Sequence, residues 1–230
     1  MKDLLEPFLY PHNMLLLGLL VACIGYRKKG LWLLLAFYYL AGNTFFANQV
    51  RHWYSNNISS YTVAEGSTVV LLGCGGSATS LTACAKARID TLAAVLPTRS
   101  SVVMTSQYCQ PYLDYLLSKK VELAADCFYG GDNTYQEFNS LVERGIKPDF
   151  IVTSDTHVWR VAKLVNRFGM NASVIASSSY SLRQVNCSYN CFFTVNLSNF
   201  DFYSKLIAEF ASYGVYLLTA GWTQWYQGPK

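Results

Sequence analysis

The chain has 230 residues and a formal net charge of +4; 52% of its residues are hydrophobic and only 14% are charged. Typical soluble domains carry about 25% charged residues, so the location of the deficit matters more than its size. The charge is modest and no basic stripe is interleaved with aromatics, which argues against nucleic acid as a partner.

The deficit lies at the start. Residues 7–26 contain no Asp, Glu, Lys or Arg, nor do residues 30–50, and Arg27-Lys28-Lys29 separates the two stretches. A helix needs about 20 mainly apolar residues to cross a bilayer, and both stretches reach that length. This predicts a transmembrane helical hairpin over residues 1–50, with spans at 8–26 and 31–50. Pro11, His12 and Asn13 put the outer part of the first span at the interface. In the second, Gly42, Asn43 and Thr44 are of the small and polar types that pack helices together in lipid. Short loops rich in Lys and Arg stay in the cytoplasm. The expected placement is therefore a multi-pass protein of the bacterial inner (plasma) membrane, with its C-terminal domain on the periplasmic side. The segment "LVAC" ending at Cys23 resembles a lipoprotein cleavage box. The region before it lacks net positive charge, and cleavage would strand a second span behind the lipid, so the hairpin reading is preferred.

Residues 51–66 are polar and read as a linker with interfacial Trp53 and Tyr54. Beyond them, short β-rich runs alternate with helical patterns over residues 67–230. The runs are 67–73, 100–106, 121–129, 149–154 and 171–177; the helices are expected near 80–96, 111–119, 134–145 and up to Phe168. Such alternation predicts an α/β domain, a Rossmann-like, mostly parallel sheet with helices on both faces.

In such sheets ligands collect beyond the carboxyl ends of the strands. Gly73, Gly75 and Gly76 follow the first run, Thr105 and Ser106 the second, Asp132 to Thr134 the third, and Ser154 to His157 the fourth. The glycine turn "GCGGSA" fits neither the G-x-G-x-x-G fingerprint nor a Walker loop. Four polar turns on one edge predict a pocket whose chemistry stays open.

The seven cysteines neither require nor exclude export. Cys187 and Cys191 are close enough in sequence to pair in an oxidising compartment. Cys74, Cys84, Cys109 and Cys127 lie in apolar surroundings and read as small hydrophobes. No second Cys/His pair stands at zinc-site spacing, so no metal site is expected.

The order "VVLLGCGG", then Arg88, "VVMTS", "DNTYQE" and "VTSDTHVWR" resembles the YdcF–SanA–ElyC family of bacterial envelope proteins over residues 67–220, with an ElyC-like pair of amino-terminal spans. Val152, Thr153, Ser154, His157 and Arg160 fill that family's V-T-S-x-x-H-x-x-R pattern. Elsewhere the chain departs: Cys74 replaces a glycine, Gln107 stands where a second glycine run is usual, and Gln136 takes the acid's place in T-x-E, with Glu137 one position on. A glutamate of the final helix corresponds to Glu209. The resemblance implies a role in envelope maintenance, in cell-wall peptidoglycan or lipid-carrier metabolism, with envelope-assembly proteins as further partners. A YdcF-like member binds S-adenosylmethionine, but no residue here identifies that ligand, so the cofactor stays unassigned.

The expected ligand is anionic, phosphorylated or nucleotide-like. Arg88 and Arg160 would clamp it with help from Gly73, Gly75 and Gly76. Ser106, Thr134, Gln136, Glu137, Ser154 and Glu209 complete the binding set. His157, the only histidine after residue 52, is the candidate acid or base, and Asp155 either orients its imidazole or caps the helix. Catalysis and non-catalytic binding or scaffolding both remain open.

Overall fold

The computed structural model describes residues 9–58, 61–97, 99–119, 124–179, 181–186 and 189–226. They form two compact units, one of the described residues within 9–57 and 181–208, the other of those within 58–179 and 209–226.

The helical unit begins with α1 (Pro11–Tyr26), α2 (Lys29–Gly42) and α3 (Thr44–Asn56). Pro11 sits in the first turn of α1, where its missing N–H costs nothing, and Arg27 closes that helix in the left-handed region at φ 50°. At 1.5 Å per residue α1 and α2 are about 24 and 21 Å long, against a hydrocarbon core of about 30 Å. No helix among the described residues is long and apolar enough to cross a membrane.

The stretch expected as one span over 31–50 is broken at Asn43, which is extended (φ −74°, ψ 127°). Its Oδ1 caps α3 by accepting from the Phe45 and Phe46 amides at 3.0 and 3.4 Å. Its Nδ2 donates to the Cys191 carbonyl at 2.7 Å. Gly42 is required beside it, because a Cβ there would meet the Val195 Cβ at 2.6 Å.

The expected linker is also revised, since α3 continues to Asn56 with Ala47, Arg51 and Tyr54 buried. These fall at i, i+4 and i+7, one helical face, with an arginine in a place where an apolar residue would have revealed the pattern. Arg51 Nε donates to the Ser181 carbonyl at 3.0 Å, and its guanidinium lies 4.5 Å from the Phe202 ring centre. Residues 181–208, expected within the α/β domain, thus pack with the helices. Asn13 Oδ1 accepts from the Val195 amide, and Asn199 Nδ2 donates to the Gly42 carbonyl, both at 2.7 Å.

The sheet unit has five strands, β1 (Thr68–Leu72), β2 (Ser101–Thr105), β3 (Ala125–Phe128), β4 (Phe150–Ser154) and β5 (Ser173–Ser177), in the order β3-β2-β1-β4-β5. Every neighbouring pair is parallel, with Val70 opposite Val103 on one side and Ile151 on the other. The connecting helices are α4 (Ala83–Val95), α5 (Cys109–Ser118), α6 (Thr134–Glu143) and α7 (Val158–Arg167). A final helix, α8 (Leu197–Tyr226), starts in the helical unit and ends in this one.

Period-2 alternation divides β1 between two cores. Val69 and Leu71 pack with Ala85, Ile89 and Leu92 of α4 and with Tyr112 and Leu116 of α5. Val70 and Leu72 pack with Phe138 and Leu141 of α6 and with Val161, Leu164 and Val165 of α7. Both faces are covered, which is why the strands read as continuous apolar runs. The Rossmann-like α/β expectation for this unit holds. The third strand is shorter than the expected 121–129, and residues 120–123 lie outside those described.

Candidate functional site

Chain order reverses between β1 and β4: β2 and β3 lie on one side of β1, and β4 and β5 on the other. A cleft of about 380 Å³ opens at the carboxyl ends of the strands, lined by residues that follow β1, β2 and β3 together with Thr153, His157 and Arg160. Of the residues expected from sequence, Gly73, Gly75, Gly76, Arg88, Ser106, Thr134, Glu137, His157 and Arg160 line it.

The turn after β1 is shaped by two glycines at positive φ, Gly75 at 71° and Gly76 at 143°. Tyr112, reaching up from α5, accepts from the Cys74 amide at 2.9 Å and donates to the Gly75 carbonyl at 3.0 Å. Thr82 caps α4 by accepting from the Ala85 amide and also donates to the Cys74 carbonyl at 2.7 Å. Gly73 is needed for closeness: a Cβ there would stand 2.2 Å from the Thr105 carbonyl oxygen.

Two disulfides bracket this region, Cys74–Cys84 and Cys109–Cys127. The expectation that these four cysteines are free hydrophobes is overturned. Apolar sequence context does not separate a buried thiol from a cysteine paired by the fold. Cys191 is disulfide-bonded, whereas Cys187, its expected partner, lies outside the described residues. Cys23 is free and buried.

Arg88 is buried and largely committed to the protein. Its Nε donates to Ser154 Oγ at 3.0 Å and its Nη1 to the Leu72 and Gly73 carbonyls, both at 2.8 Å. Burial pulls its pKa down to about 10, with Glu137 the largest opposing influence, so it stays charged at neutral pH. Only Nη2 has donors to spare for a ligand. Glu137 Oε1 accepts from the Gly73 amide at 3.0 Å and from Thr105 Oγ1. Burial raises its pKa, against the lowering effects of Thr105, Gly73, Arg88 and Arg160.

The histidine is held from behind. Glu209 Oε1 lies 2.7 Å from His157 Nδ1, and Glu209 Oε2 lies 3.0 Å from Arg160 Nε. Arg160 Nη2 approaches Nδ1 at 3.3 Å. The shorter contact decides the tautomer: Nδ1–H donates to the carboxylate, and Nε2 keeps its lone pair. Arg160 Nη1 also donates to the Tyr216 hydroxyl at 3.5 Å; with Nδ1 protonated its Nη2 has no acceptor on the imidazole, and its Nε meets Glu209 as an ion pair without an aligned hydrogen bond.

Four expected site residues are absent from the cleft wall. Glu209 stands behind it and takes the imidazole-orienting role open to Asp155. Asp155 neither orients the imidazole nor caps α7; it ties the turn after β4 to the chain after β5, accepting from the Thr156 and Ser179 amides, each at 2.7 Å. Ser154 supports Arg88. Gln136 closes its own turn by accepting from the Asp132 amide at 2.7 Å.

Sequence reasoning missed Tyr108, Tyr112 and Tyr129. Tyr108 and Tyr129 line the cleft, where the Tyr129 hydroxyl hydrogen-bonds the Asp132 carboxylate. Aromatics after β2 and β3 look like ordinary core in a chain with 17 tyrosines, so only their position after the strands could have marked them. Among the described residues, no group of three or more His, Cys, Asp or Glu is arranged to hold a metal ion.

No family model matches the chain, and comparison with curated proteins and with solved structures found no match either.

Proposed function

We propose that this is a membrane-anchored protein of the bacterial cell envelope whose sheet unit takes a phosphate-bearing small molecule into the cleft and acts on it through His157. The observation that carries the reading is the Glu209–His157 pair set beside Arg160 on the cleft wall. With Nδ1–H fixed on a carboxylate, Nε2 is the atom that takes or returns a proton. Glu209 stabilises the imidazolium that forms, and Arg160 offsets the carboxylate when the ring is neutral. The remaining N–H groups of Arg160 and the glycine turn suit an anion. The recorded partners of the imidazole are Glu209 and Arg160, so the proton exchanged comes from bound water or from the ligand itself.

The anchor rests on the helical unit. Leu15, Val21, Ile24, Leu33 and Phe37 are each more than half exposed on α1 and α2, and lipid is the cover such a surface suits. The helices are short for a full bilayer, and local thinning or flanking residues make up such a difference at modest cost. The basic loop at residues 27–29 sets the cytoplasmic side, and the disulfides of the sheet unit suit an oxidising periplasm. The resemblance to the YdcF–SanA–ElyC family points to peptidoglycan or lipid-carrier chemistry. A second reading, a binder without catalysis, is favoured by Glu137, whose Oε1 is already held by Gly73 and Thr105.

The test is His157→Gln in the full chain. A catalytic histidine predicts that the variant retains the small molecule found by mass spectrometry in the detergent-purified protein. Its ability to restore envelope integrity in cells lacking the gene should fall by about a hundred- to ten-thousandfold in rate. Ligand retention and function falling together, and only slightly, would support the binder.

A further inference from the structure

We propose that Cys74–Cys84 is an exchangeable disulfide, attacked at Cys74 by a thiolate that enters through the cleft, with Cys84 as the leaving group. This goes beyond the anion-binding reading and does not depend on it. Cys74 lines the cleft and is only partly buried, although it also packs against the core on the α4 side of the sheet. Cys84 is at the second position of α4, a 13-residue helix whose unpaired amides and partial positive charge favour a thiolate. Cys84 Sγ is also 3.2 Å from Ser154 Oγ. That hydroxyl already accepts from Arg88 Nε at 3.0 Å, and a disulfide sulfur has no hydrogen to give, so the hydroxyl hydrogen is the one directed at sulfur. Cys84 therefore has a helix terminus, a hydroxyl donor and, one residue behind that donor, a buried guanidinium. All three lower the energy of a departing thiolate.

The second disulfide shares the helix terminus, since Cys109 is the first residue of α5, but it lacks the cleft and the hydroxyl donor. Neither Cys109 nor Cys127 lines the cleft, and the recorded partner of Cys109 Sγ is the Ser106 carbonyl oxygen at 3.5 Å, which can only repel a thiolate.

The step balances. The incoming thiolate forms a bond to Cys74 Sγ, the S–S bond breaks, and its electron pair goes to Cys84 as thiolate. A second thiolate of the same class then attacks the incoming sulfur of the mixed disulfide. Cys74 and Cys84 end reduced and the two thiols end oxidised to their own disulfide. Opening removes the covalent tie across the turn of residues 75–83, which keeps its hydrogen bonds from Thr82 to Cys74 and from Tyr112 to Gly75.

The experiment uses the oxidised full chain in detergent with reduced glutathione, quenched by alkylation and read by mass spectrometry, with Cys109–Cys127 as internal control. The expected result is that Cys74–Cys84 opens about tenfold faster than the control while far-ultraviolet circular dichroism is unchanged. The glutathione adduct should be located on Cys74 by fragmentation. Equal rates for the two bonds, opening only on unfolding, or an adduct on Cys84 would overturn the proposal. In a second arm, Ser154→Ala should slow opening several-fold relative to the control. An unchanged ratio would remove Cys84 as leaving group, and the wild-type comparison stands even where that variant folds poorly.

Discussion

The two units bury polar side chains to different ends. In the helical unit Asn13, Asn43, Arg51 and Asn199 are all buried, and each has a backbone partner in another segment of that unit: the Val195 amide, the Cys191, Ser181 and Gly42 carbonyls. They act as clasps between the helices and residues 181–199. In the sheet unit Arg88, Thr105 and Glu137 are just as buried, but they sit beneath an open cleft and a histidine. Burial of a polar group therefore says only that its partners are inside the protein. The cavity beside it makes the group a candidate for chemistry.

Arg88 is the residue on which that distinction is hardest to keep, because it lines the cleft and also ties the ends of β1 and β4. We expect Arg88→Ala to destabilise the sheet unit by about 3–5 kcal/mol, since two buried carbonyls and a serine lose their donor and Glu137 loses a compensating charge. A denaturant midpoint series on the full chain in detergent measures this. A midpoint unchanged from wild type, with ligand retention lost, would make Arg88 a clamp and break the parallel with Arg51.

A smaller effect should follow at the clasp of the helical unit. Asn43→Ala removes the cap of α3 and the donor to Cys191, at a cost of about 1–2 kcal/mol. Hydrogen exchange should quicken at the Phe45 and Phe46 amides and stay unchanged across residues 73–82. Acceleration in that glycine turn would show that the clasp and the cleft are energetically one system.

What the sequence revealed follows from how local each signal is. The five strands were legible because both faces of the sheet are covered, which leaves uninterrupted runs such as Val69 to Leu72. Most of the cleft was legible because a parallel sheet delivers every strand end to one edge. The linker was misread because Arg51 occupies an apolar face and stacks on Phe202, a contact 151 positions away in the chain. One disulfide was missed for the same reason, since Cys109 and Cys127 meet only once β2 and β3 are paired; Cys74 and Cys84 are only ten positions apart, and the turn that joins them has no sequence signature of pairing. Glu209 was placed among the ligand contacts, and its role behind His157 depends on where α8 packs, which no local pattern encodes.

The smallest expected effect concerns Glu137, and it asks whether a residue on the cleft wall is held there at a cost that the clasps do not carry. Burial raises its pKa above the ordinary carboxylate value. The folded chain then binds a proton more tightly than the unfolded one. Stability is greatest below the unfolded carboxylate pKa and declines as pH rises from there to the raised folded value. Glu137→Gln is neutral throughout, and its side-chain oxygen can still accept from the Gly73 amide and Thr105. We therefore expect the wild type to lose stability relative to the variant with rising pH, by at most about 1.4 kcal/mol per pH unit within that window. The measurement is thermal unfolding of both proteins across the mildly acidic to neutral range. Parallel curves would mean that Arg88 and Arg160 already offset the burial of the carboxylate, and Glu137 would then belong with the clasps as a satisfied structural group. Diverging curves would mean that the sheet unit tolerates an unfavourable ionisation at its cleft, a strain that a purely structural position would have no reason to retain.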